Sequence, residues 1–142
     1  MSETEQTRAV VRAYLDHMVA RNWEAFAATL ADDVEYEIPQ SRERISGREN
    51  YVRFNAEYPG DWVLKVTRLL VDGNTAAATF NFQVGGEYMV GIGFLELTNG
   101  LISRVTDFWP EPYEPPTGRE HLVQRVDGRT DHFAHPATAS EE

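Results

Sequence analysis

The chain has 142 residues, 42% of them hydrophobic and 11% aromatic, enough for one ordinary domain with a real core and too few for two. Lys and Arg number 13 against 23 Asp and Glu, a net charge of −10; that field repels phosphate backbones and anionic lipid, so no nucleic-acid and no membrane partner is expected. The absence of cysteine excludes disulfide scaffolds, thiolate nucleophiles and Cys-based zinc sites. The start, Met1–Glu5, is acidic without an apolar core, and no apolar run is long enough to span a bilayer; a cytoplasmic protein is expected.

Residues 5–20 have the period of an amphipathic helix, with Val10, Val11, Tyr14, Leu15, Met18 and Val19 on one face and Arg8, Arg12 and Asp16 largely on the other. A second helix follows, with Asn22 as N-cap and Trp23, Phe26, Ala27 and Leu30 as its apolar side, broken at Asp32-Asp33. Val34–Ile38 alternates with period two and ends at Pro39, so a short strand is expected there, then a polar loop over 40–47. Tyr51, Phe54, Asn55 and Tyr58 give a third helix over 48–58, stopped by Pro59-Gly60. Four strand-like runs then cover 62–71, 75–84, 87–98 and 101–109, separated by Asp72-Gly73, Gly85-Gly86 and Asn99-Gly100, all strong hairpin signals. This order predicts an α+β domain: three N-terminal helices packed on a curved antiparallel sheet with a four-strand meander.

A domain boundary is expected near residue 110, because Pro110, Pro112, Pro115 and Pro116 cannot enter a central strand or helix interior. The extension 111–142 is expected to be partly disordered, with at most a short helical piece around Glu120–Val126 and a small, polar end from Ala134.

The element order resembles the nuclear transport factor 2-like (NTF2-like) cone folds. Ala9–Tyr14, Leu30–Tyr36 and Asn99–Asp107 resemble the SnoaL-like and ketosteroid isomerase-like branches. The likeness covers residues 5–110. It implies a conical cavity between helices and concave sheet, and an outer sheet face often used for dimerisation. The fold hosts many chemistries, so activity depends on which polar groups enter the cone.

Tyr14 lies where isomerases of this family place a tyrosine that hydrogen-bonds a substrate carbonyl; otherwise it is a core tyrosine on an apolar helix face. The isomerase carboxylate before a strand-ending proline is Ile38 here, and the second donor position aligns with Gly93. Steroid isomerisation by that mechanism is therefore not expected. The epoxide-hydrolase-like branch uses an Arg-x-Asp pair on a middle strand; the matching Thr79–Gln83 has neither residue, leaving Asn81 or Gln83 to orient a water.

Asp107 matches the catalytic aspartate that cyclases and epoxide hydrolases of this fold carry on the last strand, following Gly100-Leu101-Ile102. Alternation puts Ser103, Val105, Asp107 and Trp109 on one face and Ile102, Arg104, Thr106 and Phe108 on the other. The resemblance favours the Asp107 face as cone interior, where desolvation raises a carboxylate's pKa and suits it to acid/base work. The alternative is a solvent-facing or arginine-paired Asp107.

His17 follows Tyr14 by three positions and either reaches the pocket or sits at the helix edge. Met18, Phe26, Tyr36, Ile38, Phe54, Tyr58, Phe80, Phe82 and Trp109 are expected to wall the pocket, with Gly91 and Gly93 leaving room for a ligand. Glu35 and Glu37 are expected to be a solvated pair. His121, His132 and His135 with Asp127 and Asp131 fit no metal-ligand spacing.

No metal or cofactor is therefore expected. The predicted function is small-molecule acid/base chemistry of the cyclase, isomerase or hydrolase type on an apolar carbonyl-bearing or cyclic substrate, the alternative being a non-catalytic binder or carrier with the same cone. An outward patch of Tyr88, Val90, Ile92 and Phe94 suggests a homodimer through the sheet.

Overall fold

The computed structural model describes residues 1–126. The elements are α1 (Glu3–Ala20), α2 (Trp23–Ala27), β1 (Leu30–Ile38), β2 (Glu43–Ser46), α3 (Arg48–Ala56), β3 (Trp62–Asp72), β4 (Thr75–Val84), β5 (Glu87–Thr98) and β6 (Leu101–Phe108). Ser2 opens α1 with a capping box: its side chain accepts from the Glu5 amide while Glu5 reaches back to the Ser2 amide, satisfying two orphan donors at once. Asn22 caps α2 by accepting from the Ala25 amide.

The strands form one six-stranded sheet in the order β2-β1-β6-β5-β4-β3. All neighbours are antiparallel except β1 and β6, which run parallel. The expected α+β layering of three helices on a curved sheet is present, with two differences. The stretch expected to be a polar loop contains β2, which pairs Ile45 with Tyr36 and Arg44 with Glu37; four residues of polar edge strand carry too little alternation to register as a strand. In addition β1 begins at Leu30 and carries Asp32-Asp33 within it, across an irregularity in its pairing between Leu30 and Glu35. Those aspartates point to water, so they end the helical pattern without preventing an extended strand.

Further irregularities fall between Val66 and Arg68 on β3 and at Glu96/Leu97 opposite β6. Bulges add local twist and bend, which curls the sheet towards the helices. The one against β6 also corrects the expected face assignment: Ile102 is fully buried beside Val105, because the extra residue restores both to the inner side. Asn99 and Gly100 both have positive φ, 53° and 80°, the backbone of a tight two-residue hairpin turn.

The core lies between α1–α3 and the concave face, and includes Val11, Phe26, Leu30, Val34, Tyr51 and Ile102. Glu35 and Glu37 point outward and pair with Arg44, and Glu37 also with Arg104. The segment after β6 shows no helix over Glu120–Val126; its apolar residues Leu122, Val123 and Val126 are exposed. Asp127, Asp131, His132, His135 and Ala134–Glu142 lie outside the described residues. No described helix is long and apolar enough to cross a membrane.

Candidate active site

Helices α1 and α3 and the concave sheet enclose a cavity of about 520 Å³. Its wall contains Met18, Tyr36, Ile38, Phe54, Tyr58, Phe80, Phe82 and Trp109, together with Tyr14 and Asp107. The aromatic rings form a continuous series of contacts: Phe54 on Tyr58, Tyr58 on Phe82, and Phe82 on both Trp62 and Trp109. Beside Asp107 and its tyrosines, the polar residues of the lining include Gln40, Ser41, Glu43, Asn55 and Glu111.

Two expected wall residues are elsewhere. Phe26 is fully buried in the core behind the cavity, stacked on Tyr14 with ring centroids 5.0 Å apart, because short α2 packs beneath α1 and α3. His17 does not line the cavity; a step of three residues from Tyr14 turns it to the helix edge, and its backbone carbonyl instead accepts from Asn22. Asn81 and Gln83 are also outside the cavity lining, since strand alternation puts Phe80 and Phe82 inward and their neighbours on the other face.

Asp107 is brought inward by β6. Tyr36 on β1 donates its hydroxyl to Asp107 Oδ2 at 2.6 Å, a contact made possible by the parallel pairing of Tyr36 with Val105. Among the described residues no other hydrogen bond or ion pair to the carboxylate is seen, and Oδ1 lies over Gly93, itself a cavity-lining residue. Enclosure by protein raises the Asp107 pKa to about 6, opposed by the Tyr36 hydrogen bond. Asp107 as a whole is half-buried and lines the cavity.

Tyr14 and Tyr51 share a short hydrogen bond of 2.5 Å between their hydroxyls, and the Tyr51 ring stacks on Tyr36 at 4.6 Å. Burial first, then nearby Asp107 and neighbouring phenols, push all three tyrosines above the ordinary phenol value. They therefore stay protonated and act only as neutral donors and acceptors. Nothing in the sequence marks Tyr51 as a polar partner of Tyr14. Its place in the apolar stripe of α3 was visible, but nothing local marks its partner on α1, 37 residues away.

The glycines were expected to leave space for a ligand. Instead, side chains of this chain use that space: Phe80 and Trp109 lie over Gly91, and Asp107 lies over Gly93. Gln40 ties the end of β1 to the end of β6, its Nε2 donating to the Trp109 carbonyl at 2.8 Å while its Oε1 accepts from the Trp109 amide. Among the described residues, no three His, Asp or Glu side chains gather in a metal-holding group.

This helix-backed curved sheet around an apolar cavity is the architecture of the NTF2-like cone proteins. The model of the SnoaL-like domain matches residues 11–105, and the chain belongs to that family. A solved structure from Kribbella flavida DSM 17836, provisionally named a ketosteroid isomerase, is 63% identical, with TM-score 0.87 over 89% of this chain and 94% of that one. An NTF2-like protein of unknown function from Burkholderia xenovorans LB400 is 27% identical, with TM-score 0.74 over 87% of this chain and 97% of that one. An LEH-like epoxide hydrolase of M. tuberculosis shares the fold at 22% identity and TM-score 0.67, over 76% of this chain and 85% of that one. No curated protein matches this chain.

Proposed function

We propose that the chain is an acid/base enzyme that moves a proton on a neutral, apolar, carbonyl-bearing or cyclic small molecule, with Asp107 as general base and acid. The observation that carries this reading is the environment of Asp107: one oxygen held by Tyr36 and the other lying over Gly93, both Asp107 and Gly93 lining an aromatic-walled cavity. A carboxyl with a pKa of about 6 is mostly ionised at neutral pH yet holds a proton well enough to return it, the balance acid/base catalysis favours. The 63% identical relative provisionally named a ketosteroid isomerase supports the same reading.

In such a reaction Oδ1 takes a proton from carbon beside a carbonyl, and the C–H electron pair moves onto the oxygen as an enolate. Tyr14 is the cavity-lining donor for that oxygen. If Tyr51 donates within the 2.5 Å pair, the Tyr14 proton is free for the ligand, and charge developing on the ligand oxygen strengthens that bond. Asp107 then returns the proton to carbon. The charged residues lining the cavity are Asp107, Glu43 and Glu111, with no Lys or Arg among them, so an anionic ligand would meet like charge and no counter-ion.

The second reading, a binder or carrier, is favoured by Ile38, which lines the cavity where the isomerases carry their carboxylate. Deuterium uptake beside the carbonyl separates the two. Neutral cyclic ketones that bind the protein in D₂O are expected to exchange with the wild type. With Asp107→Asn, exchange is expected to fall at least about a hundredfold, with ligand affinity kept within a few-fold. Ketones that bind both proteins equally and exchange with neither would leave the carrier reading standing.

A further inference from the structure

We infer that Gly93 is a positioning residue for Asp107: the missing side chain at 93 is the seat over which the carboxylate lies, and that seat holds it within reach of Tyr36. The inference rests on the reading of Asp107 as the acid/base group. Ala78, Gly93 and Asp107 stand side by side on β4, β5 and β6. A Cβ built on Gly93 falls 2.7 Å from Asp107 Oδ1, whereas the nearest Phe80 atom is at 3.5 Å, an ordinary contact. The carboxylate alone therefore has to move if a Cβ is added at 93.

Backbone conformation is not the reason for glycine at this position. Gly93 is absent from the residues with positive φ, so an L-residue could adopt its conformation unstrained. Neither strand can yield, because β5 is paired on both sides by β4 and β6, and β6 on both sides by β5 and β1. Sliding along β5 towards Gly91 is blocked as well: the Phe80 ring fills the track there, against Trp109 at a ring distance of 5.3 Å. A methyl group at 93 obliges the carboxylate to turn about its Cβ–Cγ bond, and because both oxygens turn together, Oδ2 leaves the position in which it meets the Tyr36 hydroxyl.

Two consequences follow for Gly93→Ala, and both disfavour the anion: the carboxylate loses its one hydrogen bond, and Oδ1 gains an apolar neighbour. The experiment is a thermodynamic cycle with a titration. Melting temperature is measured for wild type, Gly93→Ala, Asp107→Gly and the double variant, and the Asp107 carboxyl is titrated by ¹³C NMR in the first two, with Asp107→Asn identifying its signal. Gly93→Ala is expected to melt lower than wild type and to raise the Asp107 midpoint by about one unit or more, a tenfold change in proton affinity. In the Asp107→Gly background the same substitution is expected to cause no loss, since the seat is empty and Ala suits a strand better than Gly.

An equal melting penalty in both backgrounds, or an unmoved midpoint, overturns the proposal. If Gly93→Ala alone does not fold, folding of the double variant supports the seat, and its failure to fold overturns it. No turnover enters this test. Coupling between 93 and 107 in a protein that exchanges no ketone proton would sink the acid/base reading and leave the seat standing.

Discussion

Asp107 in the folded chain binds its proton about a hundredfold more tightly than a free aspartate, with a pKa of about 6 against 3.8. A carboxyl whose folded pKa is raised favours the fold below the unfolded pKa, and that contribution is lost as pH rises through the folded value. Asp107→Asn is therefore expected to be more stable than wild type at pH 7–8, by roughly 1–2 kcal/mol once cavity water is allowed for. The advantage should shrink below pH about 6 and vanish below about 4; denaturant midpoints across that range check it. Tyr36→Phe removes the one hydrogen bond that lowers the Asp107 pKa. The rise of proton-exchange rate with pH is then expected to shift upward by about one unit, which a pH–rate profile reads directly. Tyr51→Phe leaves the buried Tyr14 hydroxyl without its 2.5 Å partner and should lower stability by about 1–3 kcal/mol in a denaturant titration. Of these groups, Asp107 and Tyr14 stand out in the sequence because a neighbouring motif marks each. Tyr36 is recognisable only as wall, and Tyr51 only as helix face, since their roles depend on partners 71 and 37 residues away.

Among the elements, the meander is the part most visible in the chain. Its strands carry long apolar alternation, and its turns carry glycines with positive φ at 73, 85 and 100. Gly100→Ala forces an alanine to φ near 80° and is expected to cost about 1 kcal/mol or more, seen as a lower denaturant midpoint with the same slope. What the sequence conceals is pairing over distance. Strand β2 is recognisable only beside β1, and the parallel seam between β1 and β6 has no local signature. The bulges are equally silent, because one extra residue changes which side chains face inward without changing composition. For that reason simple alternation sent Ile102 to the wrong face.

At the scale of the whole molecule, Val63, Leu70 and Phe94 leave the convex face with apolar side chains 63%, 59% and 49% exposed. Phe94 packs edge-on against Phe108 at 6.0 Å, giving a local apolar centre on that face. A homodimer through this face is the arrangement we propose. Light scattering is expected to return twice the 16.1 kDa chain mass, and Phe94→Glu to return the chain mass; a wild-type monomer at high concentration would reject the dimer.

The parallel seam has a consequence for how the chain comes to be folded. Leu30–Ile38 is synthesised early, but its partner Leu101–Phe108 is the last strand to appear. Until then the N-terminal half can form helices and the small β1–β2 hairpin, but has no sheet to join. The meander, built from adjacent hairpins, can assemble first and receive β1 along β6, where the Ile102 amide donates to the Thr29 carbonyl at 2.9 Å. Contacts so far apart in sequence are slow to close, so tyrosine fluorescence from Tyr36 should reach its native value later than hairpin amides gain protection from hydrogen exchange. On that schedule Asp107 and Tyr36 meet in the closing step, and the candidate active site is the last part of the molecule to exist.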